Sequence, residues 1–241
     1  MIYLALGDSI TYGYDATDEA EKYVTKLVHQ LNEKKRTSFY VHAKPGWTSQ
    51  QLLKSLDRIP PCIVEEAELI SLLIGGNDLI KAMPWFLHDQ DEGMFRLRQS
   101  FYPQVEEIVD KVNVNPEATM MLCTIYNPFP NSDLAVFAVD GLNMMLKQIA
   151  EQKHCVLVPV HHYYGGNEQD LVNRFKRGAL EDFRLFKNPI HPNDLGHTRI
   201  AEAIFKTVYP RKSEHASQQK RLQQRSGKAD VKKRHEVRKR V

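Results

Sequence analysis

Ser9 lies in the string Gly7-Asp8-Ser9-Ile10-Thr11, directly after the apolar run Ile2–Leu6. A serine at such a strand-to-helix turn presents its hydroxyl at the edge where a sheet binds ligands, and its own N–H can meet an acyl oxygen. The plain alternative is a turn in which Asp8 or Ser9 caps a helix. Further along, Ala43-Lys44-Pro45-Gly46-Trp47-Thr48-Ser49 offers a glycine amide that a ligand can approach without meeting a Cβ. Read alone, it is a Pro-Gly turn followed by a Thr48 helix cap. Gly75-Gly76-Asn77-Asp78 adds a side-chain amide donor, or else an ordinary Gly-Asn turn. The block Asn188-Pro189-Ile190-His191-Pro192-Asn193-Asp194-Leu195-Gly196-His197 supplies a loop histidine able to serve a serine as general base.

The elements that must position these residues are legible as short apolar runs separated by helical spacing. Ile2–Leu6, Phe39–His42, Leu69–Ile74, Thr119–Thr124 and Cys155–Val160 read as strands. Helices are expected near Glu19–Lys35, Thr48–Ile59, Met94–Val112, Ser132–Gln152 and Asp194–Val208. Crossovers of this length imply a parallel sheet with helices on both faces, an α/β three-layer sandwich. Each chemistry-bearing string then falls at a strand end or before the last helix. Residues Leu79–Gly93 form an apolar insertion after the third strand, which either packs on itself or walls a pocket.

Taken together, Gly7-Asp8-Ser9, Gly46, Gly75-Gly76-Asn77-Asp78 and His191-Pro192 resemble the four blocks of the SGNH, or GDSL, hydrolase family, over residues 1 to about 208. The resemblance implies a flavodoxin-like fold with a central parallel sheet of about five strands and an esterase or lipase activity on acyl esters. It makes Ser9 the nucleophile and His191 the general base. It makes the Ser9 and Gly46 amides and the Asn77 side chain the oxyanion hole. It implies neither a metal nor an organic cofactor. The length and the His191 block also look similar to spore-lipase-like members from spore-forming bacilli, which implies spore association.

The chain departs from the family where an acid usually stands, three residues before the histidine; here that residue is Asn188. Asn188, a backbone carbonyl, or another acid such as Asp182 or Asp194 are the candidates for orienting His191. With none of them, activity is weak, or the chain is a non-catalytic binding protein on the same fold. Asp194-Leu195-Gly196-His197 fits the usual spacing literally, but Asp194 is placed to cap the last helix and His197 to lie inside it. Trp47, Trp85 and Phe86 are the expected walls of an apolar acyl pocket. A flavodoxin-like nucleotide binder is excluded because no glycine-rich phosphate loop follows the first strand.

Composition sets the remaining bounds. A chain of 241 residues, 42% hydrophobic, can bury one substantial core. The net charge of +3 conceals a split: residues 211–241 carry 12 Lys/Arg and 3 Asp/Glu, leaving 21 and 27 in residues 1–210. An acidic hydrolase domain, 1–210, is therefore expected to carry a basic, disordered or loosely helical tail, 211–241. That tail suits contact with anionic lipid or another polyanion, and no nucleic-acid module accompanies it. Three widely spaced cysteines read as buried, reduced thiols. No signal peptide precedes the first strand and no apolar run is long enough to span a bilayer, so a cytoplasmic protein is expected.

Overall fold

A computed structural model describes residues 1–184 and 188–210. Met1–Ile204 form one compact unit. The described residues of the second unit, 205–210, hold the end of the last helix, with the Phe205 and Tyr209 rings 5.3 Å apart. The expected tail, 211–241, lies outside the described residues.

Five strands, β1 (Ile2–Gly7), β2 (Ser38–Ala43), β3 (Ala67–Leu73), β4 (Thr119–Cys123) and β5 (Val156–Val158), form one sheet in the order β2-β1-β3-β4-β5. Every pairing is parallel, with Leu4 opposite Tyr40 on one side and Ile70 on the other. This is the flavodoxin-like order. Its reversal lies between β1 and β3, where the chain leaves the sheet in opposite directions and a crevice opens at the carboxyl ends. The first and third candidate strings sit at those two ends.

The helices are α1 (Ser9–Tyr12), α2 (Tyr23–Asn32), α3 (Ser49–Leu53), α4 (Pro61–Glu66), α5 (Gly76–His88), α6 (Gln90–Val112), α7 (Asp133–Gln152), α8 (Glu168–Leu171) and α9 (Asp194–Val208). The central strands are buried on both faces, so β1 and β3 read as nearly continuous apolar runs rather than alternating ones. Leu4, Leu6, Ile70 and Leu72 pack with Leu52 of α3, Phe101 of α6 and Leu142 of α7. Each fully buried leucine there contributes about 1.5–3 kcal/mol relative to exposure. The alternate residues face the other way. Tyr3 and Ser71 share a 2.7 Å hydrogen bond, and Tyr23 of α2 reaches Thr11 at 3.0 Å.

The five strands and the helices α6, α7 and α9 stand where their periodicity places them, and other details differ. The helix expected over Thr48–Ile59 is only α3, followed by a 3-10 turn at Leu56–Arg58, and the one expected over Glu19–Lys35 is the shorter α2. Residues 79–93 are not a loop insertion: α5 runs through Pro84 to His88, and α6 starts at Gln90. Of the cysteines, Cys123 is buried, Cys155 half-buried and Cys62 exposed; all three are free thiols.

His197 lies inside α9, fully buried. Its Nδ1 accepts the Tyr23 N–H at 3.4 Å, while Nε2 has no partner among the described residues. Asn193, not Asp194, caps α9 by accepting the Gly196 N–H at 2.9 Å. Burial pushes the His197 imidazole down to about 4. A depressed histidine favours folding most above its ordinary value of 6.5, and that contribution is lost as pH falls towards 4. The stability advantage of wild type over His197→Asn, measured by urea denaturation, should therefore shrink between pH 6.5 and pH 4. A gap that stays constant across that window contradicts this account.

Candidate active site

Gly7 ends β1 where no side chain fits: a Cβ would stand 2.4 Å from the Leu73 carbonyl and 2.2 Å from Thr11 Oγ1. That close approach lets the chain turn at once into α1. Asp8 caps α1 by accepting the Ile10 N–H at 3.0 Å, so the turn is capped as well as chemically equipped. Ser9, in the first turn, keeps a backbone N–H that no intrahelical acceptor can take. Its Oγ stands 3.0 Å from His191 Nε2.

Asn77, in the first turn of α5, donates from Nδ2 to the Trp47 carbonyl at 3.0 Å and stands 3.5 Å from Asp8 Oδ2. Lys44-Pro45-Gly46-Trp47 closes as a turn, with the Trp47 N–H donating to the Lys44 carbonyl at 3.2 Å. Gly46 takes φ +84°, the left-handed conformation required after proline in a type II turn. A capping box between Thr48 and Gln51 follows. Asp78 ties this loop to α5: its carboxylate accepts the Ser49 N–H at 3.0 Å and the Ser49 hydroxyl at 2.6 Å. Burial raises the Asp78 carboxyl above its ordinary value and lifts Asp8 to about 7.

A cavity of about 430 Å³ opens at these groups, lined by Ser9, Asn77 and His191 at one end. Its walls are apolar: Leu79, Ile80, Met83 and Leu87 of α5, Phe129, and Val139 of α7. Gly46 is not among the lining residues. Helical periodicity explains which aromatics are missing. Ala82 and Phe86 share the face turned to the core, Ile80, Met83 and Leu87 share the face turned to the cavity, and Leu79 borders both. Phe86 is thus buried against Phe137, not in the cavity wall. Trp85 lies on a third side, exposed, under the Arg96 guanidinium at 3.9 Å. Trp47 packs on the core beside His42. The expected pocket walls Trp47, Trp85 and Phe86 all fall outside the cavity.

Asn188 faces elsewhere too: its Oδ1 accepts the Arg184 N–H at 2.5 Å. Asp182 accepts from Arg177 at 2.7 Å, and Asp194 from the Thr17 N–H and hydroxyl at 3.0 and 2.7 Å. The carboxylate at His191 is one that sequence reading passed over. Asp15 Oδ2 stands 3.5 Å from His191 Nδ1, and Asp15 is gripped by both Arg174 nitrogens at 2.8 and 3.2 Å. Burial lowers the His191 pKa from its ordinary value, Asp15 opposes that shift, and Arg174 adds to it. His161 and His162 occupy a separate 3-10 turn, where His161 Nδ1 meets Thr124 at 2.6 Å.

Chemically, the cluster pairs a hydroxyl with a base that is neutral near pH 7, beside an amide donor and an apolar chamber. Among the described residues, no group of three or more His, Cys, Asp or Glu is placed to hold a metal ion. No helix there is long and apolar enough to cross a membrane.

The chain is 26% identical over 222 residues to a spore germination lipase of Bacillus licheniformis, covering 87% of this chain and 97% of that protein. Uncharacterized protein YpmR of Bacillus subtilis is 24% identical over 219 residues, with 86% and 81% covered. Two solved structures share the fold. A lipase from a goat rumen metagenome superposes with a TM-score of 0.72 at 22% identity, covering 88% of this chain and 99% of its own. An acetylxylan esterase from Geobacillus stearothermophilus gives 0.65 at 19% identity, with 87% and 94% covered. Residues 5–199 match the family model for GDSL-like lipases and acylhydrolases, a span that includes Ser9, Asn77, Asp15 and His191. The chain belongs to the GDSL-like lipase/acylhydrolase family.

Proposed function

We propose that the protein hydrolyses carboxylic esters of apolar acyl chains through an acyl-enzyme on Ser9, with His191 as general base. The observation that carries this reading is the 3.0 Å contact between Ser9 Oγ and His191 Nε2 at the mouth of an apolar cavity. Oγ attacks the acyl carbon as its proton passes to Nε2, and the imidazolium returns that proton to the departing alcohol. Water repeats the sequence to release the acid. Negative charge on the former carbonyl oxygen is met by the Ser9 N–H and the Asn77 amide, both at the cavity mouth.

The cavity supports acyl chains over acetyl groups, because a short acid leaves most of about 430 Å³ unfilled. Each methylene buried adds about 0.8 kcal/mol, roughly fourfold in kcat/KM, until the cavity is full. Across a p-nitrophenyl series from acetate upward, kcat/KM should climb in steps of this size and then level off. Val139→Phe, which narrows the chamber, should move the plateau to shorter chains and leave acetate hydrolysis within about twofold. A flat profile in wild type contradicts the acyl-chamber assignment. The relationship to a spore germination lipase supports lipid esters of the spore as the setting.

A further inference from the structure

We propose that Asp15 orients His191 and stabilises its protonated form, and that Arg174 is the positioning residue that holds Asp15 there. This rests on the reading of Ser9 and His191 as an ester-hydrolysing pair. It relocates the acid from the histidine's own loop to the loop that follows the nucleophile.

The geometry is specific. Asp15 Oδ2 faces His191 Nδ1 at 3.5 Å on the side opposite Ser9, and the same oxygen accepts from Arg174 Nη1 at 2.8 Å. Arg174 Nη2 takes the other oxygen at 3.2 Å, completing a two-point fork. The Asp15 side chain is only 12% exposed, so its charge is poorly screened by water.

The backbone holds all three residues in register. Val172 and Pro192 form an isolated antiparallel bridge. The Asn173 N–H donates to the His191 carbonyl at 2.8 Å, and the Asn193 N–H to the Leu171 carbonyl at 2.9 Å. Arg174 therefore leaves the segment that is already laced to the histidine loop. From the other side, Thr17 clasps Asp194 at the start of α9, anchoring the loop that carries Asp15.

Three described residues other than glycine have positive φ, and two of them are Asp15 at +67° and Arg174 at +59°. Left-handed backbone in such residues is uncommon and costs free energy, so it persists where surrounding contacts enforce it. Here both members of one ion pair carry that cost at the same histidine.

In the attack step the Ser9 proton moves to Nε2 and the positive charge spreads to Nδ1–H, against the Asp15 carboxylate. Asp15 takes no proton; it holds the ring's orientation and lowers the energy of the imidazolium. The resting distance is longer than a hydrogen bond, and the attraction strengthens when the charge forms.

The groups that bear on His191 electrostatically are Asp15 and Arg174, with His197 on α9 further off. Ser9 and the Tyr14 ring also touch its imidazole, and Asp8 and Glu181 line the same cavity. Asp15 favours the protonated ring and Arg174 disfavours it. Removing each should therefore move the acid limb of kcat/KM in opposite directions.

The test is p-nitrophenyl butyrate hydrolysis by the full chain from pH 4.5 to 9, for wild type, Asp15→Asn, Arg174→Ala and Asn188→Asp. Asn tolerates the left-handed backbone at position 15. Asp15→Asn should lower kcat by up to about 10⁴-fold, keep KM within about twofold, and move the acid limb to lower pH. Arg174→Ala should lower kcat several-fold and move the limb to higher pH. Asn188→Asp should raise nothing. NMR titration of the His191 ring in the same variants reads the two opposed displacements without turnover. An unmoved limb and ring titration in Asp15→Asn, displacement of both variants in the same direction, or a gain from Asn188→Asp overturns the proposal. An active wild type with a neutral Asp15→Asn sinks this inference alone. A wild type inert towards every ester sinks the underlying reading, while the ring titration still decides whether Asp15 and Arg174 act on His191.

Discussion

Ser9→Ala should remove ester turnover by about 10⁴–10⁶-fold, and His191→Ala should cost nearly as much, because nucleophile and base act as one unit. On the proposed mechanism, removing Oγ eliminates the atom that receives the acyl group, and removing the imidazole leaves a hydroxyl with no acceptor for its proton. The double variant should therefore be little worse than either single one, a departure from additivity that independent contributions would not give. Neither change should unfold the protein. The Ser9 hydroxyl contributes one contact, to His191, and the His191 side chain sits at the edge of the cavity rather than in the core. Folded variants that retain turnover within tenfold would contradict the assignment.

The second large effect is expected at Asn77. Its amide already donates to the Trp47 carbonyl at 3.0 Å, which fixes the side chain before substrate arrives. Donors fixed in advance are the ones that lower a barrier, since nothing must reorganise when charge develops. Asn77→Ala should lower kcat by about 10²–10³-fold, roughly 2.7–4 kcal/mol, with KM little changed. A raised KM with kcat intact would instead make Asn77 a ground-state binding group. The buried Asp8 and Asp78 carboxyls behind Asn77, both raised by burial, brace the two loops that meet there.

Much of this arrangement was legible from residue order alone. The five strands are apolar runs whose neighbours are turn formers, and a parallel sheet buried on both faces leaves such runs little freedom to be anything else. The four motif strings needed only the sheet order to bring Ser9, Asn77 and His191 to one crevice. What stayed hidden was set by rotation and tertiary distance. Trp85 and Phe86 look like pocket aromatics in sequence, but adjacent helical positions point about 100° apart, and the cavity face of α5 belongs to Ile80, Met83 and Leu87. The Gly75-Gly76 pair and Pro84 masked α5 as an insertion. Asn188 drew attention by its spacing to His191, whereas Asp15 is 176 positions from that histidine and only the folded chain makes them neighbours. The available signal was an acid two residues beyond the Gly13 cap of the helix that carries Ser9.

Covalent labelling tests the central claim most directly. A fluorophosphonate incubated with the folded full chain should add one equivalent to the peptide carrying Ser9, read by mass spectrometry. The adduct should be absent from Ser9→Ala and form much more slowly in His191→Ala. Labelling that persists in Ser9→Ala, or a wild type that never forms the adduct, would contradict the assignment of Ser9 as nucleophile.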